Sequence, residues 1–200
     1  PSVVMWSLGN EAGAGKNFKD CYEAAKRLDN RPVHYEGTRM NGEYGGGLYS
    51  DFYSKMYPGM AWMNRNTSGL DKPMFLCEYA HAMGNAIGNL SEYWQVIEQS
   101  DATIGGCIWD WVDQAIYEPR ELKQGVRKLR TGYDFPGPHQ GNFCSNGVIP
   151  ATREESPKLK EVKAAYAYVK FGTPRYDAAA GTVTVTLRNG YAFRNLNEMT

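Results

Sequence analysis

Three short apolar runs in this chain each end in a glutamate, and the segments that follow them carry helical spacing. Ser2-Val3-Val4-Met5-Trp6-Ser7-Leu8 closes on Gly9-Asn10-Glu11, Pro32-Val33-His34-Tyr35 on Glu36-Gly37, and Pro73-Met74-Phe75-Leu76-Cys77 on Glu78-Tyr79. Short, continuous, β-branched runs with a break at the end are the pattern of buried parallel strands. Residues 17–28 and 90–99 place apolar side chains at helical intervals, as does 157–169, and a shorter helical stretch precedes Pro73. Two further strands are expected at 48–57, the weaker one, and at 104–111. A Gly- and Tyr-rich loop follows Gly37, and a long polar loop rich in Gly and Pro spans about 117–155.

Strand–helix alternation with short links predicts a parallel α/β architecture. In a (β/α)8 barrel the active site is built from residues at the C-terminal ends of the strands. One glutamate at a strand end is ordinarily a solvated or ion-paired residue; three at equivalent places in one chain call for a shared explanation. Five strands do not close an eight-stranded barrel, so the sequence is expected to be part of a longer chain. From Lys170 the period changes to two, and 182–187 alternates as an antiparallel strand does. The expected division is 1–169 for barrel and 170–200 for the beginning of an all-β domain.

Composition narrows the partners. Charged residues are balanced, 22 basic against 22 acidic, with no long run of either sign, which argues against nucleic acid. No apolar stretch approaches the roughly 20 residues that span a bilayer. Aromatic residues reach 13%, with 14 Tyr and 5 Trp. Such side chains stack on sugar rings, but composition alone favours a tyrosine-rich core or subunit interface. The four cysteines, Cys21, Cys77, Cys107 and Cys144, form no CxxC pair, so zinc and dithiol motifs are absent; three of the four sit in apolar or motif-dense sequence where a reduced, buried thiol is expected, and the even count permits disulfides without arguing for them. The first residues carry no signal-peptide pattern, and the compartment stays open between bacterial cytoplasm and periplasm.

Glycoside hydrolysis needs two carboxylates across the scissile bond, one a proton donor and the other a nucleophile or base. Strand-end glutamates supply that geometry. Spacing does not say which two of Glu11, Glu36 and Glu78 form the pair.

Ser7-Leu8-Gly9-Asn10-Glu11 resembles the Asn-Glu motif of glycoside hydrolase family 2 and its clan. Cys77-Glu78-Tyr79-Ala80-His81-Ala82-Met83-Gly84-Asn85 is similar to the nucleophile segment of the large bacterial β-galactosidases in that family. Gly105-Gly106-Cys107-Ile108-Trp109-Asp110-Trp111-Val112-Asp113-Gln114 resembles their eighth barrel strand, and Asn142-Phe143-Cys144-Ser145-Asn146-Gly147 resembles a sodium-binding loop. The resemblance covers residues 1 to about 170 and continues weakly beyond.

It implies a partial TIM barrel, roughly strands 4–8, followed by the first strands of a β-sandwich. It also implies a retaining exo-glycosidase acting on terminal β-galactosyl residues, with Glu11 as acid/base and Glu78 as nucleophile, their carboxyl groups about 5–5.5 Å apart. In the same way it gives Asn10 the sugar 2-hydroxyl, Tyr57 a hydrogen bond to the nucleophile, His81 and Asn146 substrate contacts, and Trp109 the floor of the sugar pocket. Glu36 is left with a supporting or structural role, and His34 and His139 with structural ones. Magnesium would bind Glu11 together with ligands upstream of this chain, and sodium would bind the Phe143 carbonyl and the Asn146 side chain. The expected partners are a β-galactoside, the rest of the polypeptide and further copies in a homo-oligomer, with no nucleic acid or membrane; the 200-residue segment by itself is expected to be inactive. The alternatives are a family 2 β-glucuronidase or β-mannosidase, against which the His81 and Trp109–Gln114 segments stand, the glucuronidase also needing basic residues near C6 that these motifs do not show, and a decayed barrel that binds carbohydrate without catalysis. The second predicts loss of a catalytic acid, yet Glu11 and Glu78 are both present.

Overall fold

The computed structural model describes residues 2–37 and 49–199. The loop expected after Gly37 and the start of the weak third strand at Leu48 lie outside the described residues. Five strands follow one another as the sequence predicts, each shorter than its apolar run. β1 (Trp6–Ser7) pairs in parallel with β2 (Val33–His34). β3 (Tyr53–Met56), β4 (Met74–Tyr79) and β5 (Thr103–Ile108) form a parallel three-stranded sheet in that order. The Asp51 N–H donates to the Val33 carbonyl at 2.7 Å, which leads β2 on to β3.

Helices cover one face of these strands. α1 (Lys16–Leu28) follows β1, α2 (Met60–Asn66) follows β3, and α3 (Leu90–Gln99) follows β4 over the span the spacing predicts. After β5 the chain makes a small hairpin before returning as a helix. β6 (Ile116–Tyr117) and β7 (Leu129–Arg130) pair antiparallel around α4 (Pro119–Lys123), and α5 covers Pro157–Ala165. The expected featureless loop at 117–155 is therefore partly ordered. α4 and α5 begin alike: Glu118 and Ser156 accept the backbone N–H three residues on, and a proline supplies the first helical position.

The core lies between β3–β4–β5 and the helices. Met63, Met74, Leu76, Tyr79, Leu90 and Val148 are fully buried there. Tyr79 sits at its centre, its hydroxyl 2.5 Å from the Tyr166 hydroxyl and receiving the Trp94 indole N–H at 3.0 Å. The buried Tyr79 and the partly buried Trp94 and Tyr166 thus have their polar tips satisfied.

Several expectations need correction. β2 is buried but β1 is not: Val4 and Trp6 are 73% and 40% exposed. A parallel strand is buried only when neighbours cover it, and among the described residues β1 has β2 alone beside it. Burial of three cysteines is not seen: Cys21 and Cys107 are exposed and Cys77 and Cys144 only partly buried; Cys21 lies on α1, none of whose residues is buried. α5 stops at Ala165, short of the expected 169, because Val169 enters β8 (Val169–Phe171). The alternating run at 182–187 is split. β10 (Thr182–Thr184) pairs with β9 (Arg175–Asp177), while β11 (Leu187–Asn189) pairs with β8.

Candidate active site

Three residues just beyond strand ends have left-handed backbones: Glu11 after β1, Tyr57 after β3 and Ala80 after β4, with φ of 48°, 46° and 49°. Such values are uncommon for residues with a side chain. They turn the chain sharply at one end of the parallel sheet, the end where barrel enzymes place their chemistry.

A β-bulge aims Glu78. Lys55 on β3 is paired with Leu76 and Met56 with Glu78, so β4 carries one extra residue between them. Without it, Met74, Leu76 and Glu78 would share the core face by simple alternation. With it, Tyr79 takes the next place in the core and Glu78 is freed for the other face. The bulge lies against β5, where a Cβ on Gly106 would come within 2.8 Å of the Leu76 carbonyl oxygen.

The Glu78 carboxylate is 9% exposed and held from two sides. The Tyr57 hydroxyl donates to Oε2 at 2.7 Å, and the Asn10 amide donates to Oε1 at 3.3 Å. Tyr57 is joined to Glu78 a second time, its N–H donating to the Glu78 carbonyl at 2.8 Å. Burial, the Glu78 hydrogen bond, and the charges of Glu78 and Glu11 hold the phenol well above its usual range, so it remains a donor. The thiol beside Glu78 stays protonated near neutral pH, because burial pushes Cys77 up to about 11.

Glu11 is exposed. Its backbone N–H donates at 2.8 Å to Oε2 of Glu36, a carboxylate only 4% exposed. Beneath these residues runs a chain of hydrogen bonds across three strands: Ser7 hydroxyl to His34 Nδ1 at 3.0 Å, and His34 Nε2 to Ser54 hydroxyl at 2.9 Å. His34 is structural in this arrangement, buried and held down to about 4 by that burial. His139 accepts the Gly141 N–H within its own loop.

The other expected site residues gather around Glu78. The His81 ring lies 5.7 Å from the Tyr57 ring and 5.7 Å from the Phe143 ring. Trp109 is half-buried at the end of β5, its N–H on the Tyr79 carbonyl and its carbonyl accepting from Ala82. Asn146 is buried, donating its amide to the Phe143 carbonyl at 2.8 Å while its Oδ1 has no partner. Two features were not found in the sequence. The Phe143 ring, not only its carbonyl, belongs to this wall. Lys158 on α5 donates at 2.6 Å to the carbonyls of both Ala82 and Gly147, tying the His81 turn to the Asn146 loop. A lysine bonded to backbone leaves no motif to read.

Residues 1–171 match the family model described as "Glycosyl hydrolases family 2, TIM barrel domain". The chain belongs to glycoside hydrolase family 2. A β-galactosidase of Priestia megaterium is 44% identical over 200 residues, covering 98% of this chain and 18% of that protein. One of Staphylococcus xylosus is 45% identical over 155 residues, covering 74% of this chain and 15% of its own length. The family 2 segment thus spans less than a fifth of these two curated relatives. Among solved structures, a family 2 β-galacturonidase from Eisenbergiella tayi bound to galacturonate aligns with a TM-score of 0.57 at 18% identity, covering 83% of this chain and 33% of that one. A β-D-glucuronidase of Dictyoglomus thermophilum gives 0.53 at 18% identity over 82% of this chain and 32% of its own. At that identity the two structures speak for the family 2 fold and for no particular sugar.

Proposed function

We propose that this segment carries the two catalytic carboxylates of a retaining exo-β-galactosidase. The observation that bears most weight is the Glu78 carboxylate, gripped by Tyr57 at 2.7 Å and by Asn10, the neighbour of Glu11, at 3.3 Å. Two donors stabilise the ionised form, which is the form that attacks. In the reaction Glu78 attacks the anomeric carbon while Glu11 protonates the departing oxygen. Glu11 then takes a proton from the water that displaces Glu78, and both carboxyl groups return to their starting states. His81, Trp109 and Asn146 line the sugar site, and Asn10 exchanges its bond to Glu78 for one to the sugar 2-hydroxyl. The galactosyl preference rests on curated β-galactosidases at 44% and 45% identity.

In this reading the parallel strands are roughly the fourth to eighth of the barrel, and residues 170–200 begin a β-sandwich. A glucuronidase reading has less support: Lys158, a cation that comes up against the His81 turn, is occupied by two carbonyls, and the curated relatives at 44% and 45% identity are β-galactosidases.

The metals fit unequally. Among the described residues no group of three His, Cys, Asp or Glu could hold an ion. Glu11 by itself does not meet the near-octahedral oxygen demand of magnesium, so no step is assigned to that ion. Sodium fits better, because the buried Asn146 Oδ1 lacks a partner beside the Phe143 carbonyl. Those two oxygens would hold it, and the ion would supply fixed positive charge beneath the sugar hydroxyls.

The test is to treat the full-length parent with a 2-deoxy-2-fluoro-β-galactoside bearing a good leaving group. A fluorogalactosyl ester on the Glu78 peptide, found by mass spectrometry, is the expected result. A full-length structure with the Glu11 and Glu78 carboxyl groups about 9 Å apart, the inverting separation, would exclude the double displacement.

A further inference from the structure

Glu36 is buried to 4% exposure at the end of β2, and the reaction as described gives it nothing to do. A buried carboxylate is costly unless hydrogen bonds satisfy it, and Glu36 Oε2 accepts at 2.8 Å from the peptide N–H of Glu11. The bond is returned in part: the Glu36 N–H points to the Gly9 carbonyl at 3.5 Å. One residue just past β2 therefore closes on both ends of the Gly9-Asn10-Glu11 turn. The residue before it grips the same loop further along, with the buried Tyr35 hydroxyl donating to the Gly13 carbonyl.

The turn needs holding. Gly9 has φ 137° and Glu11 φ 48°, and a residue with a side chain keeps the left-handed conformation only where its surroundings determine it. Asn10, between the two, has its amide on Glu78. Where Glu11 carries its carboxyl relative to Glu78 thus depends on where Glu36 holds the Glu11 peptide.

We propose that Glu36 is a positioning residue that sets the reach of Glu11 as acid and base by anchoring its peptide N–H. The proposal rests on the reading of Glu11 as the acid/base residue. Glu36 touches no substrate and moves no proton; it acts through the backbone of its neighbour. This separates it from a residue that merely stabilises the barrel, because losing the anchor damages proton transfer selectively.

The experiment compares two galactosides on the full-length enzyme. An alkyl β-galactoside has a poor leaving group and needs its oxygen protonated; 2,4-dinitrophenyl β-galactoside leaves unaided. Glu36→Asp keeps the charge and withdraws the acceptor by about one bond, ~1.5 Å. The expected result is a fall of about 100-fold in kcat/KM for the alkyl galactoside, within the contribution of a general acid. For the dinitrophenyl galactoside the fall should be less than about fivefold, since proton assistance matters little there. Azide should raise kcat of the variant on the dinitrophenyl substrate, giving β-galactosyl azide: it attacks the anomeric carbon without base help and Glu78 departs as carboxylate. Glu36→Gln, with an oxygen at the original reach, should recover most of the alkyl-galactoside activity.

Equal losses on both substrates, no loss on either, or Glu36→Gln no better than Glu36→Asp would overturn the proposal. Melting curves for each variant keep a misfolded sample from imitating any of these. Failure of the underlying reading looks different: the unsubstituted enzyme would leave both galactosides intact and take the proposal with it.

Discussion

Tyr57 shows how much one hydroxyl carries in this site. It is the shorter of the two side-chain donors to Glu78, at 2.7 Å against 3.3 Å from Asn10, and a hydrogen bond to a charged group contributes about 1.5–3 kcal/mol. Tyr57→Phe in the full-length enzyme is therefore expected to lower kcat about 10- to 100-fold, with a melting temperature lowered but the protein still folded at the assay temperature. Steady-state kinetics alongside a melting curve checks both halves. Because the phenol is held above its usual range, the alkaline limb of the pH profile should not be set by Tyr57. His34 acts on stability. Its folded value near 4 lies below the ordinary 6.5, so below pH 6.5 the unfolded chain takes up a proton that the folded one refuses. The stability His34 contributes is complete above that value and is lost as pH falls towards 4, on the order of 3 kcal/mol in all. His34→Gln should flatten the drop in melting temperature between pH 6.5 and 4; an unchanged slope would count against this. At this scale the sequence marks as candidates the residues that carry a motif, Glu11, Glu78 and His81, and the structure places Glu78 and His81 both beside Tyr57. The roles of Glu36, Tyr35 and Lys158 were hidden because each acts on backbone, and any residue can offer a backbone partner.

Among the elements, the apolar runs were read correctly as strands, and α3 lies where its spacing puts it, since Leu90 and Ile97 face the core. The hairpin of β6 and β7 escaped because two-residue strands are too short to show alternation. Ion pairs from Arg130 to Glu121 and Asp134 hold that hairpin without any apolar pattern. The β4 bulge was likewise invisible, although one neighbour of it left a trace. Gly106 is a glycine because a Cβ there would meet Leu76 Cβ at 2.6 Å and the Leu76 carbonyl oxygen at 2.8 Å. Gly106→Ala must push β4 away from β5 at the bulge. An overpacking cost of about 1–3 kcal/mol is expected, with a loss of activity larger than the loss of stability, because Glu78 is two residues on. Activity measured well below the melting temperature separates the two; a destabilised but fully active variant would show the bulge to be tolerant.

The molecule as a whole leaves apolar surface uncovered. Leu28 is 88% exposed, Phe171 75% and Phe193 99%, and β1 and β5 are the outer strands of the parallel array among the described residues. Open strand edges of this kind template association. The 200-residue segment by itself is expected to self-associate and to hydrolyse no galactoside. Sedimentation of the isolated segment tests this, and a monomer with one sharp, high-temperature transition would contradict it. The part from β8 onward is not loose: Glu98 on α3 pairs with Lys170 in β8 at 3.2 Å and with Arg188 in β11 at 2.9 Å. The change of period at Lys170 was legible, but these charge contacts across it were not.

Tyr57 and Glu78 are joined twice, once through peptide groups and once through side chains. Sheets breathe, and a donor borrowed from a distant loop would drift in and out of range as they did. Here the donor is anchored to the backbone that carries the carboxylate, so a displacement of one strand end moves both groups together and their 2.7 Å bond is kept. On the proposed mechanism, the surrounding loops are then at liberty to vary, adjusting which sugar is admitted without detuning Glu78.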